Sequence, residues 1–245
     1  MKNLRLLTVL GLLGLTAFAF SQGVPQVNLT FGPDKKPAEV SNSLQILAML
    51  TVLSLAPAIM ILTTAFTRIV IIFSFVRSAL GTQSIPPNQV LIGLSIFMTF
   101  FVMAPTFNEV NSKALKPYQE GKIGYEAAIK EAQKPVRAFM LKNTYEKDLS
   151  LFLDMRAEQP QTPEDVNLTS LIPAFIISEL KTAFIVGFYI FVPFIVIDLI
   201  VASGLMSMGM MMLPPTVVSL PAKILVFILA DGWHTIVQAI MQGYQ

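Results

Sequence analysis

The sequence predicts an all-α membrane protein with about four apolar helical segments in two blocks, separated by a polar helical insert. Three observations carry this. Apolar residues make up 54% of the 245-residue chain and charged residues only 13%, about half the usual quarter for a soluble domain, and mean hydropathy is +0.66. A soluble globule cannot hide that much apolar surface and still cover itself. The charges are also segregated: nineteen of the thirty-two fall in Asn108–Ser170, which leaves an apolar block on either side. Finally, each block holds runs long enough to cross a bilayer core, which takes about 20 apolar residues. The same figures exclude disordered, collagen-like, coiled-coil and disulfide-stapled classes. With no cysteine and one histidine, there is no thiolate metal site, no cysteine nucleophile and no multi-histidine site. A net charge of +2 gives no argument for nucleic acid.

Residues 1–21 have the pattern of a secretory signal peptide. Lys2 and Arg5 precede an apolar run from Leu6 to Phe20, Ala17-Phe18-Ala19 sets small residues where signal peptidase reads them, and Ser21-Gln22-Gly23 is polar. The alternative is a retained first membrane helix, for which fifteen apolar residues fall slightly short. A cleaved signal places the mature N-terminus outside the cytoplasm. Residues 22–43 read as a linker, with Pro25, Gly32, Pro33 and Pro37 and no periodicity.

Residues 44–107 form the first hairpin. Leu44 to Phe66 is uncharged and long enough to span, with a kink expected at Pro57. Arg68, the apolar stretch Ile69–Val76, and Arg77 follow. Gly81 to Gln89 (GTQSIPPNQ) is a turn, and Val90 to Phe107 is the second span. Arg68 and Arg77 are the only charges between the spans, so the connection is cytoplasmic by the positive-inside rule. That agrees with an external N-terminus and puts the insert outside.

The insert, residues 108–170, reads as helical. Apolar residues at Ala128, Ile129 and Ala132, then at Val136, Phe139 and Met140, recur at three- and four-residue steps. Pro117, Gly121, Gly124 and Pro135 mark breaks, and Gln159–Asn167 is a loop. Its charges at helical spacing, such as Glu126 and Lys130, read as a solvated face.

Residues 171–245 form the second hairpin, with spans at Leu171–Ile200 and Leu205–Ala230. Glu179, Lys181, Asp198 and Lys223 lie within it, where charges are expensive and face protein or water. They either hold helices together or line a pathway. Glu179 and Lys181 are two apart and cannot face each other on a helix, so each needs a partner elsewhere. Asp198 and Lys223 are equidistant in sequence from Met210–Met211. A chain that reverses there brings them to one depth as a pair.

The reversal is itself unusual. Met206–Met212 reads MSMGMMM, five of the thirteen methionines in seven residues. Gly209 within it and Pro214-Pro215 after it favour an irregular loop. Unbranched thioether side chains refit to changing shapes, so Met206, Met208, Met210, Met211 and Met212 suit a ring that closes around a substrate and yields to it. Ordinary core or lipid-facing methionines are the other reading. Enzyme signatures are missing: there is no phosphate-binding loop, no H-E-x-x-H and no G-x-S-x-G. His234, beside the only tryptophan, reads as part of an interface anchor. Neither a catalytic function nor a cofactor is expected.

The stretch TAFTRIVIIFSFVRSALGTQSIPPNQ with the VLIGLSIFMTFFVMAPTF that follows it resembles the FliP family of flagellar export proteins, whose homologues serve virulence type III secretion. So do ISELKTAFIVGFYIFVPFIVIDLIVASGLMSMGMMMLPPTVVSLPAK and LVFILADGW. The resemblance runs from about Pro57 to Trp233. It implies broken helical hairpins and a core subunit of an inner-membrane export gate at the flagellar basal body. Several copies would assemble with FliQ and FliR into a conical channel that passes unfolded flagellar proteins, with energy supplied by other components. It also implies that the methionine loop is the gasket sealing that channel, and that Glu179, Lys181, Asp198 and Lys223 are contacts within and between subunits. The prolines in and beside the apolar blocks, Pro57, Pro105, Pro173, Pro193 and Pro221 among them, fit broken helices. Two rivals come from other classes. A small-solute secondary transporter would show internal repeats, and the two blocks show none that is clear. A membrane-embedded protease would need a second carboxylate or a paired nucleophile at the depth of Asp198, and none stands there.

Overall fold

The structure, a computed structural model, describes residues 37–245 apart from Gln83, Met211 and Gln245. The expected signal peptide, and the linker up to residue 36, lie outside the described residues. Within them all regular structure is helical. The order is α1 (Pro37–Leu62), α2 (Phe66–Ala79), α3 (Asn88–Val110), a π-helical turn (Asn111–Leu115) leading into α4 (Lys116–Gln119), α5 (Tyr125–Lys142), α6 (Glu146–Met155), a 3-10 turn (Pro163–Asp165), α7 (Leu168–Ser207), α8 (Pro215–Leu229) and α9 (Gly232–Gln242). The chain from Ala56 onward is one compact unit, and it contains every site described below.

Two continuous helical runs are long and apolar enough to cross a membrane: Asn88–Gln119 and the 40-residue α7. Two more spans result if α1 with α2, and α8 with α9, each count as one broken span. The chain is therefore an all-α membrane protein. The start of α1 at Pro37 lies ahead of Leu44, so part of the expected linker is helical.

The helices break, but not at their prolines. Pro57, Pro105, Pro135, Pro173, Pro193 and Pro221 all lie inside helices that continue past them. This corrects the break expected at Pro135. A proline frees a single carbonyl, and neighbouring helices and hydroxyl side chains make that tolerable in a membrane helix. The breaks fall where side chains or glycines redirect the backbone. Between α1 and α2, the Thr63 and Thr64 hydroxyls donate to the carbonyls of Ile59 and Ile61 and compete with the helical ladder. After α2 and after α7 the chain adopts Schellman caps. Gly81 donates to Ser78 and Thr82 to Arg77; Gly209 donates to Met206 and Met210 to Leu205. Both glycines have a positive φ, +77° and +74°, which is why glycine stands there. α8 and α9 meet at a 62° bend.

The short helix α2 is the centre of the packing. Its Ile69, Ile72, Phe73, Val76 and Ala79 are buried against Leu91 of α3, Ala183 and Phe194 of α7, Phe227 of α8, and Ile236 and Ile240 of α9. A second cluster attaches the insert: Met140 of α5 packs with Leu171 and Phe175 of α7, supported by Val136, Leu149 and Leu153. Helix-to-helix fit is close at Gly187, where an added Cβ would lie 2.4 Å from the Phe75 ring. Outward faces of α3, α7 and α8 remain apolar and open, with Phe97, Phe101, Leu199 and Leu229 exposed.

Candidate functional site: a methionine loop above two buried polar junctions

The loop between α7 and α8 runs from Met208 to Pro214. Met206 occupies the last turn of α7, Met208 caps it, and Met210 and Met212 follow; Met211 lies outside the described residues. Met206, Met208 and Met210 are exposed, and Met212 is 99% exposed. Met103 and Met140, by contrast, are fully buried in the packing, while Met49, Met60 and Met155 are exposed like the loop methionines. The loop methionines therefore do not serve the core of their own chain. They form an apolar, flexible crest free to meet something else.

Below this crest the hairpin stem is held by charge. Asp198 on α7 accepts from Lys223 Nζ on α8 at 2.6 Å and from the Ser219 hydroxyl at 2.5 Å. Lys223 also donates to the Ala79 carbonyl at 3.3 Å, placing a cation on the exposed carbonyl end of α2, where the helix dipole favours it. Lys223 is nearly fully buried, whereas the Asp198 side chain is 26% exposed. One lysine thus joins α2, α7 and α8. The sequence symmetry about Met210–Met211 works because the loop reverses the chain there.

A second polar junction lies near the other end of α2. Arg68, in the first turn of α2, grips Glu179 of α7 with two nitrogens: Nε donates to Oε2 at 3.1 Å and Nη2 donates to Oε1. Its remaining Nη1 donates to the Gly243 carbonyl at 3.1 Å. The Tyr244 hydroxyl donates to Glu179 Oε2 at 2.6 Å. Glu179 is completely buried and Arg68 5% exposed. A bidentate guanidinium–carboxylate pair with its spare donors filled is the form in which buried charge is tolerated.

Two sequence expectations change here. Lys181, expected as a buried charge, is exposed. It stands two residues, about 200° of helix, from the inward Glu179, and its ammonium sits over the Tyr145 ring, 4.6 Å from the centroid. Arg68, counted as a charge of the cytoplasmic connection, is instead an internal partner, so the orientation argument rests on Arg77 alone. Arg77 is half-buried and donates to the Asn88 side chain across the α2–α3 turn. Sequence reasoning also missed Tyr244, Ser219 and the Ala79 carbonyl. The signal for Arg68 was available: it interrupts an otherwise uncharged stretch, and Glu179 needed a cation that Lys181 could not supply.

Alongside α7, the insert is tied by a short polar chain. The Tyr145 amide donates to the Ser178 hydroxyl at 3.0 Å, and that hydroxyl donates to Asp148 at 2.8 Å. His234 is exposed and Trp233 packs against Phe73 and Phe227. Among the described residues no group of three or more His, Asp or Glu side chains is placed to hold a metal ion.

The pattern that defines the FliP family matches residues 49–240. The chain is similar to proteins described as flagellar biosynthetic protein FliP in several bacteria. It is 56% identical to that of Bacillus subtilis (strain 168) over 209 residues, covering 85% of this chain and 95% of the relative. Identity to the protein of Pectobacterium carotovorum is 50% over 204 residues, 82% and 79% of the two chains. For that of Aquifex aeolicus it is 43% over 231 residues, 93% and 95%.

Proposed function

Because this chain belongs to the FliP family, we propose that it is a channel-forming core subunit of the flagellar type III export gate, passing unfolded flagellar proteins across the inner membrane. The observation that carries the channel role is the methionine crest: exposed thioether side chains of Met206, Met208, Met210 and Met212 at the tip of a hairpin whose stem is pinned by Asp198 and Lys223. Several copies meeting at their crests make a ring that is apolar enough to exclude water and ions. The same side chains, unbranched and polarizable, give way to a passing chain of varied bulk. Met206, Met208, Met210, Met211 and Met212 form this gasket. Glu179, Asp198 and Lys223 hold the subunit's own helices in register, and exposed Lys181 is left to meet a neighbour.

The partners are further copies of the chain, FliQ and FliR, unfolded flagellar export substrates and membrane lipid. The exposed apolar faces of α3, α7 and α8 are the surfaces that copies and lipid cover, because contiguous open apolar faces mark interaction sites. The protein is multi-pass at the flagellar basal body, its signal peptide is removed near Ala19, and the insert faces the periplasm. It is a transport component and not an enzyme, with energy supplied by other parts of the apparatus.

The test replaces Met208, Met210, Met211 and Met212 together by Ala or by Leu, in cells that also produce FliQ and FliR. The Ala variant should assemble and leak ions and small solutes. The Leu variant should seal while exporting bulky segments less well. An assembled Ala variant that leaks no more than the parent protein refutes the gasket.

A further inference from the structure

Helix α9 ends at Gln242, and residues just past a helix end are ordinarily left to solvent. Gly243 and Tyr244 do the opposite and enter the Arg68–Glu179 junction. The Gly243 carbonyl takes the one guanidinium nitrogen that Glu179 does not, at 3.1 Å. The Tyr244 hydroxyl bonds Glu179 at 2.6 Å, with the Ala65 carbonyl, at the α1–α2 break, 3.4 Å away. Arg68 lies over the Tyr244 ring, its Cζ 4.0 Å from the centroid. The same ring stacks on Phe139 of α5, with centroids 6.1 Å apart and planes inclined by 18°. Lys142 of α5 donates to the Tyr244 carbonyl at 3.4 Å.

One aromatic residue therefore touches three elements of different character: α2, α7 and the first long helix of the polar insert. Cation–π contact and ring stacking are both short-range and need the ring in place. The link from α5 to α7 has its own apolar cluster around Met140 and Phe175. The link from α5 to Arg68 of α2 runs through Tyr244.

We propose that Gly243–Tyr244 is a clasp. It closes over the buried ion pair, positions the Arg68 guanidinium on Glu179, and holds the Phe139–Lys142 end of the insert against α2. Its contacts are separate from the backbone ladders of α5 and α7, so it can open while the bodies of those helices stay folded and α5 stays on α7, freeing the Phe139–Lys142 end from α2. The inference does not depend on what the channel carries.

Hydrogen–deuterium exchange on the full chain, purified in detergent with its partners, tests the clasp. Tyr244→Ala should raise exchange about tenfold or more at two helix ends, residues 139–145 and 65–70, because without the clasp the last turn of α5 and the first turn of α2 fray by local opening. Residues 219–227, around Lys223, should stay within about twofold of the parent. Tyr244→Phe keeps the ring on Arg68 and Phe139 but loses the hydroxyl, so it should give a smaller rise confined to 65–70. Unchanged protection at 139–145 in the Ala variant overturns the clasp, as does an equal rise at 219–227. If the Ala variant does not fold, Tyr244→Phe decides: a rise at 65–70 with 219–227 unchanged supports the clasp, and no rise overturns it.

Discussion

Asp198 and Lys223 touch each other, yet removing one is not equivalent to removing the other. The Lys223 side chain is 4% exposed and that of Asp198 26%. Asp198→Asn leaves a buried ammonium with only neutral oxygens to accept from it, the amide oxygen of the new side chain and the Ala79 carbonyl at 3.3 Å. A stranded buried charge of this kind costs about 3–5 kcal/mol. Lys223→Met leaves a carboxylate that keeps the Ser219 hydroxyl and still reaches the surface, so the loss is nearer about 1–2 kcal/mol. The gap of about 2 kcal/mol corresponds to roughly a thirtyfold difference in the folding equilibrium, since each 1.4 kcal/mol is tenfold. The double variant carries no buried charge at this junction and should be more stable than Asp198→Asn alone. Unfolding in mixed micelles can be followed through Trp233, the chain's single tryptophan, whose ring packs edge-on to Phe227 at 5.5 Å, one helical turn from Lys223. Equal costs for the two single variants, or a double variant that equals their sum, would refute the reasoning.

Two other substitutions follow from the packing. Gly187→Ala drives a methyl into the Phe75 ring, 2.4 Å from Cδ2, and should cost about 1–3 kcal/mol as overpacking does; thermal melting should show the loss, and Phe75→Leu in the same chain should recover most of it. Arg68→Lys keeps the charge but cannot reproduce the two-nitrogen grip on Glu179 together with the Gly243 contact, so melting should fall toward that of Arg68→Met; full stability in Arg68→Lys would show that charge alone suffices.

The sequence exposed what depends on composition and local order. Segregated charges and long apolar runs marked the blocks and the insert, and glycines marked the ends of α2 and α7. The pairing of Asp198 with Lys223 was legible because a single reversal relates them, so sequence distance from the loop measures depth. Arg68 and Glu179 were not legible in this way. They are 111 residues apart with the whole insert between them, and no local period connects α2 to α7. Proline misled for a related reason. Prolines were expected to mark breaks, whereas Pro135, Pro173 and Pro193 lie inside helices that continue past them. Lys181 was misjudged because apolar neighbours in sequence do not fix which way one residue of a helix points; its distance of two from Glu179 does.

In a membrane, apolar side chains gain little by leaving lipid for one another, so packing and polar contacts decide which helix faces which. α2 shows how few are needed. Near its start Arg68 is fixed to Glu179, and at its end the Ala79 carbonyl is fixed through Lys223 to Asp198. Both carboxylates belong to α7, and they occur in the same order along the chain as their partners on α2. With Phe75 fitted against Gly187 between the two junctions, α2 and α7 lie side by side in parallel with their register fixed at both ends. Sliding one helix along the other would strand a guanidinium and an ammonium at once. The α8 arm of the hairpin inherits that register through Lys223. What the two junctions do not restrain is the stretch beyond them, Met206 to Pro214, where among the described side chains no charge or aromatic ring ties the backbone down. A stiff stem with a compliant tip suits the seal proposed above: in a ring of copies the stems would hold the crests at fixed spacing, and only the methionine side chains would need to move for a chain to pass.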